Sequence, residues 1–146
     1  MPTAGRLAGA IIFALFGWYL AGFTVPYFPE SNAPASWIPV GAGLGLFIGW
    51  KVCGSRAGRG YNPAIGVGLT CSFLLGFCML FWVAFVQMMS NASRLLYNGA
   101  MEALLDVFNQ VIEYSIDFYD VPLLATLLIG GVVCAWMTEY FGQRFP

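Results

Sequence analysis

From Ala64 to Met89 the chain runs for 26 residues without an Asp, Glu, Lys or Arg. As a helix rising ~1.5 Å per residue it is about 39 Å long, enough to cross a hydrocarbon core of ~30 Å with some tilt. Its clearly polar side chains are Thr70, Ser72 and Gln87, and a hydroxyl in a helix can bond back to the preceding turn. The stretch reads as a transmembrane helix, and the remaining segments have to be compatible with one.

Composition agrees. The 146 residues are 60% hydrophobic and 9% charged, against roughly 45–50% apolar and 25% charged in soluble domains. Seven acids and six bases cannot clothe a water-exposed surface of this size. Lipid is the expected solvent, and the length suits a single membrane domain. There is no histidine, which removes His ligation of haem or zinc, Ser-His and Cys-His nucleophile pairs and His proton relays. The chain is therefore read as non-enzymatic, without cofactor or metal. Cys53, Cys71, Cys78 and Cys134 form no CxxC pair and read as small buried hydrophobes.

Three further apolar runs complete an all-α integral membrane reading with four spans, at about 7–25, 38–52, 64–89 and 121–141. The first follows one Arg, but it is long for a signal peptide and has poor small-x-small cleavage signals near Leu20–Gly22, so it reads as retained. Its Ala10, Ala14, Gly17 and Ala21 fall within about 60° on a wheel, a small stripe that lets helices approach closely. A proline-rich loop with Pro26, Pro29, Glu30 and Pro34 follows. Tyr27, Phe28 and Trp37 are expected at the headgroup boundary. The second span carries Gly41, Gly45 and Gly49, two overlapping GxxxG units that form a groove for a neighbouring helix. The central span offers its own small stripe, Gly68, Ser72 and Gly76, as a partner for that groove or for the first span.

Between the second and third spans lies CGSRAGRGYNP, a tight turn. Its backbone amides, with Lys51, Arg56 and Arg59, could hold an oxyanion. Alternatively these cations set topology and rest against anionic headgroups. The spacing matches no P-loop and no strand precedes it, which favours the second reading.

After a polar connection from Ser90 to Gly99 the pattern changes. Over residues 100–119, Glu102, Asp106, Asn109, Glu113 and Asp117, with Asp120 just beyond, fall on an arc of roughly 80° at 100° per residue. Leu104, Leu105, Val107, Phe108, Val111, Ile112 and Ile116 take much of the rest. This is an amphipathic helix at the membrane surface or against the bundle, because burying five carboxylates in lipid costs several kcal/mol each. Glu102/Asp106 and Glu113/Asp117 are i, i+4 pairs with the spacing of a cation clamp, but a solvated face or a basic partner suits an acidic stripe better.

With the amino terminus in the cytoplasm, Arg6, Lys51, Arg56, Arg59 and Arg144 fall inside. Glu30, Glu102, Asp106, Glu113, Asp117 and Asp120 fall outside with Arg94 as the one base. Basic residues in short loops set orientation, so both termini are expected inside and the amphipathic helix on the periplasmic side. Glu139 is expected at the inner interface, in a salt bridge with Lys51 or an arginine.

Met1-Pro-Thr-Ala-Gly-Arg-Leu7, Gly54-Ser-Arg-Ala-Gly-Arg-Gly-Tyr61, Met101-Glu-Ala-Leu104 and Thr126-Leu-Leu-Ile-Gly-Gly-Val132 resemble the TrgA-type membrane proteins of alphaproteobacteria, a family named for tellurite resistance. The likeness runs through nearly the whole chain in the same order, and the RAGRGY turn is its most specific part. It implies a multi-pass protein of the bacterial inner membrane associated with tellurite resistance, and no mechanism; the cysteines are not part of the matched pattern. Two functional classes stay open. One is oxyanion handling, which needs an oligomer for a pathway. The other is an accessory subunit packed against other integral membrane proteins of a respiratory or photosynthetic complex. Lipids and membrane proteins, or further copies of the chain, are the expected partners, and nucleic acid is not.

Overall fold

The computed structural model describes residues 4–28, 33–94 and 98–144; the expectations attached to residues 1–3, Pro29 and Glu30 lie outside them. Regular structure among these residues is helical. Helix α1 is Ala4–Thr24, with a single 3-10 turn over Val25–Tyr27 after it. Helix α2 is Trp37–Arg56, interrupted by a π-helical turn at Gly49–Cys53. Then come α3, Tyr61–Ser93, α4, Ala100–Asp117, and α5, Val121–Arg144. Helices α1, α2, α3 and α5 are each long and apolar enough to cross a membrane.

Prolines mark three of the starts. Pro39, Pro63 and Pro122 all stand in the first turn of a helix, where an N–H would have no intrahelical acceptor. The second span reaches Arg56 rather than Val52 because the π turn carries it past Gly49 without a break.

Helices α1 and α2 touch backbone to backbone. A Cβ on Gly45 would strike the Phe13 carbonyl, one on Gly49 the Gly9 carbonyl, and one on Gly17 the Gly41 carbonyl. Of the expected stripe Ala10, Ala14, Gly17 and Ala21, the last three line this contact, joined by Gly9 and the Phe13 backbone. The Phe13 side chain points into the core, with no exposure at all, while its backbone meets Gly45.

The stripe at Gly68, Ser72 and Gly76 pairs with neither of its expected partners. It packs on α5. A Cβ on Gly68 would lie 2.8 Å from the Gly131 carbonyl oxygen, one on Gly131 would run into the Ser72 hydroxyl, and one on Gly76 would meet Leu127 at 3.2 Å. The adjacent Gly130 accommodates the Phe16 ring of α1. Two consecutive glycines thus let α5 receive a bulky ring from α1 and a close backbone approach from α3. The hydroxyls at this junction bond to their own helices, Ser72 to the Gly68 carbonyl at 2.9 Å and Thr138 to that of Cys134 at 2.8 Å. Cys53, Cys71 and Cys134 are buried among them as free thiols.

The bundle ends unevenly. Helix α1, with 21 residues, is about 31 Å long, close to a ~30 Å core; α3, with 33 residues, is about 50 Å. Gly41, one turn into α2, lies beside Met79 of α3, so the start of α2 at Trp37 reaches the level of about Val83, and α3 beyond it overhangs the other spans by about 15 Å. Helix α4 folds back along this overhang. Phe81, Phe85 and Met88 share an apolar cavity of about 430 Å³ with Ala100, Ala103 and Val107 of α4. Closer to the bundle, Gly76 and Leu80 share one of about 120 Å³ with Ser115 of α4. The two pairings make α4 antiparallel to α3. The expected polar connection from Ser90 is helix as far as Ser93, where the Ser93 hydroxyl donates to the Ser90 carbonyl at 2.7 Å.

Candidate functional site

Among the described residues, every base but Arg94 lies at one end of the bundle and every acid but Glu139 at the other. At one end the start of α1, the α2–α3 turn and the end of α5 converge: a Cβ on Gly54 would lie 2.5 Å from Arg6 Cα, and one on Gly142 would lie 2.9 Å from Ala57 Cβ. Arg6, Lys51, Arg56, Arg59 and Arg144 belong to this end. The other end carries α4 with its acids.

The turn at the basic end is built around Glu139. Gly58 and Gly60 adopt φ of 91° and 111°, left-handed values that suit glycine, and both amides point to one carboxylate. Gly58 N–H donates to Glu139 Oε2 at 2.7 Å and Gly60 N–H to Oε1 at 2.5 Å. Gln143 Nε2 adds a third donor at 2.9 Å. Glu139 is 2% exposed, so a buried carboxylate here is held by backbone dipoles.

That arrangement corrects two expectations. Glu139 is held by turn amides and Gln143, not by a salt bridge to Lys51 or an arginine, because the left-handed glycines bring backbone donors closer than any long side chain. The turn amides, considered as an oxyanion cradle, already hold an internal anion. Lys51, Arg56 and Arg59 are all exposed. A crevice between Arg56 and Glu139 has a volume of only about 10 Å³, the space of roughly one water. Arg144 bonds the Tyr140 hydroxyl at 2.6 Å.

At the acidic end, Glu102 accepts the Asn98 amide at 2.9 Å and Asp106 accepts Gln110 Nε2 at 2.5 Å. Glu113 and Asp117 are exposed. The two i, i+4 pairs are therefore not equivalent, since Asp106 is half-buried and engaged by its own helix. Among the described residues no group of three His, Cys, Asp or Glu side chains is placed to hold a metal.

Next to these acids the aromatics form a packed cap. Phe28 stacks edge-on against Trp37 at 5.0 Å and Phe118 at 5.5 Å, and Tyr114 and Phe118 stack at 6.1 Å. Trp37 Nε1 donates to the Ala21 carbonyl and the Thr24 hydroxyl, and the Tyr27 hydroxyl donates to Asp120 at 3.0 Å. Phe28 and Trp37, expected at a headgroup boundary, are instead buried, because α4 ends directly over the α1–α2 connection. Burial in this cap pushes the Tyr114 hydroxyl above its usual range, with Glu113 and Asp117 adding to the shift.

Glu139 and the aromatic cap were not foreseen as organising centres. A lone acid near the end of an apolar span, set against a GxG turn, is the signal that could have found the first. Comparison with protein-family models, with curated proteins and with solved structures gives no match.

Proposed function

We propose that this chain is a non-enzymatic accessory protein of the bacterial inner membrane that works by packing against other integral membrane proteins. In this reading the basic end is cytoplasmic, with both termini, and the overhang of α3 with α4 is periplasmic. Tellurite resistance, implied by the family resemblance, follows indirectly from the state of the partner complex. The observation that carries the reading is a row on α3. Leu69, Phe73, Phe77, Phe81, Phe85 and Met89, at every fourth position, are all between 41% and 73% exposed. Such an inclined i+4 row is the ridge that helix packing inserts into a neighbouring groove. Behind it α3 is seated on α5 by the close approach of Gly68 and Ser72 to Gly131, a contact that orients the ridge.

An oxyanion-handling role fits less well. The donors best arranged for an anion are taken by Glu139, and the remaining cations are solvent-exposed.

Gentle detergent extraction from the native membrane, followed by sizing and identification of what accompanies the chain, tests the proposal. It expects a species larger than the chain with other membrane proteins in fixed ratio. A solitary chain contradicts it.

A further inference from the structure

Helix α4 packs on the molecule through the side that lies between its acidic and its most apolar faces. At 100° per residue with Glu102 at zero, the side packed against the rest of the molecule holds Val107, Gln110, Tyr114 and Phe118, at roughly 80–160°. Gln110 is among the buried residues, and its Oε1 has no partner among the described residues. The more apolar side remains uncovered: Leu104, Leu105, Phe108, Ile112 and Ile116 are 55–70% exposed, over an arc of roughly 200–320°. The carboxylates of Glu102 and Glu113, at about 0° and 20°, follow the edge of that arc, with Asn109 between. An apolar stripe of this width with an acidic margin is a complete half of a helix–helix interface.

We propose that the uncovered face of α4 docks an amphipathic helix of a partner protein, one whose lysines or arginines flank a Leu/Ile/Phe stripe. This deepens the accessory reading and rests on it. Lipid is the weaker occupant because the acidic margin repels anionic headgroups, whereas helices that lie on membranes are typically basic. A second copy docked through the same face would bring carboxylate against carboxylate. A basic amphipathic helix satisfies both parts, apolar side chains into the Leu104–Ile112 surface and cations beside Glu102 and Glu113.

The test uses the full-length chain in detergent and two synthetic 18-residue probes, a Leu/Lys amphipathic helix and its Leu/Glu counterpart. The Leu/Lys helix is expected to bind the wild type. It should lose about tenfold in affinity against Leu105→Ser/Ile112→Ser, and several-fold against Glu102→Gln/Glu113→Gln or at raised salt. The Leu/Glu helix should not bind. These positions are exposed, and unchanged circular dichroism of the variants verifies folding. A photo-crosslinking residue at position 112 then reports in the native membrane, where the joined polypeptide segment should be basic and amphipathic. Equal binding of both probes, insensitivity to all four substitutions, or crosslinks only to lipid, to a second copy or to an acidic segment overturns the proposal. If Leu105→Ser/Ile112→Ser leaves a native complex intact, the docking face is wrong and the accessory reading stands. A chain that is solitary from the start contradicts the accessory reading itself.

Discussion

Glu139 and Gly58 are 81 positions apart, and the carboxylate of one accepts the amide of the other at 2.7 Å. This contact fastens the last turns of α5 to the α2–α3 turn. Removing the carboxylate leaves the Gly58 and Gly60 donors without their acceptor, at about 1.5–3 kcal/mol for each charged hydrogen bond. Glu139→Ala is expected to lower the thermal midpoint in detergent by several degrees, with a smaller loss for Glu139→Gln, which keeps one acceptor oxygen. Because Arg56 and Arg59 flank the turn, trypsin cleavage there should accelerate in the same order. Equal midpoints and cleavage rates for all three proteins would contradict this role.

Glycine content alone does not decide which glycines matter. Gly43 has open space where a Cβ would go, while Gly45 faces the Phe13 carbonyl. Gly43→Ala should leave the yield of folded protein and its midpoint unchanged or slightly raised. Gly45→Ala should separate α1 from α2 and cost several kcal/mol through overpacking. Comparable behaviour of the two variants would mean that the groove is not in backbone contact.

A compensating pair tests the α3–α5 seam. Gly131→Ala meets the Ser72 side chain and is expected to destabilise the fold by about 1–3 kcal/mol. Adding Ser72→Gly clears that space and should recover more than half of the loss in midpoint. A strictly additive double variant would show that the two positions do not touch.

The four apolar helices and the amphipathic one were legible in the chain because each rests on a local property: run length, periodicity or a proline in the first turn. Partner choice was not. Gly68 and Ser72 form a small stripe wherever their helix goes, and only Gly130-Gly131, unremarkable in sequence, makes α5 the helix that receives it. Glu139 was expected to find a cation because charged side chains are visible in a sequence, whereas backbone amides are common to every residue and stand out only once Gly58 and Gly60 turn left-handed. The overhang of α3 depends on where α1 and α2 end, a comparison between elements that no single segment contains. Phe28 and Trp37 had the composition of boundary residues, and became core through the tertiary return of Phe118.

The accessory reading makes a distinct statement about Arg56 and Arg59. If the chain works by packing, Arg56→Gln/Arg59→Gln should preserve complex formation and any resistance to tellurite, provided the variant inserts with the same topology. Loss of resistance with an intact complex would return weight to an oxyanion site at Lys51, Arg56 and Arg59.

Everything proposed about partners depends on α4 and the basic turn facing opposite sides of one membrane. Cysteine labelling measures this directly, since Cys53, Cys71 and Cys134 are buried and Cys78 is half-buried, which keeps background low. With a membrane-impermeant maleimide on intact cells, Asn109→Cys is expected to label at once, and Ser55→Cys only after permeabilisation. Labelling of both positions in intact cells, or of Ser55→Cys alone, would contradict the account.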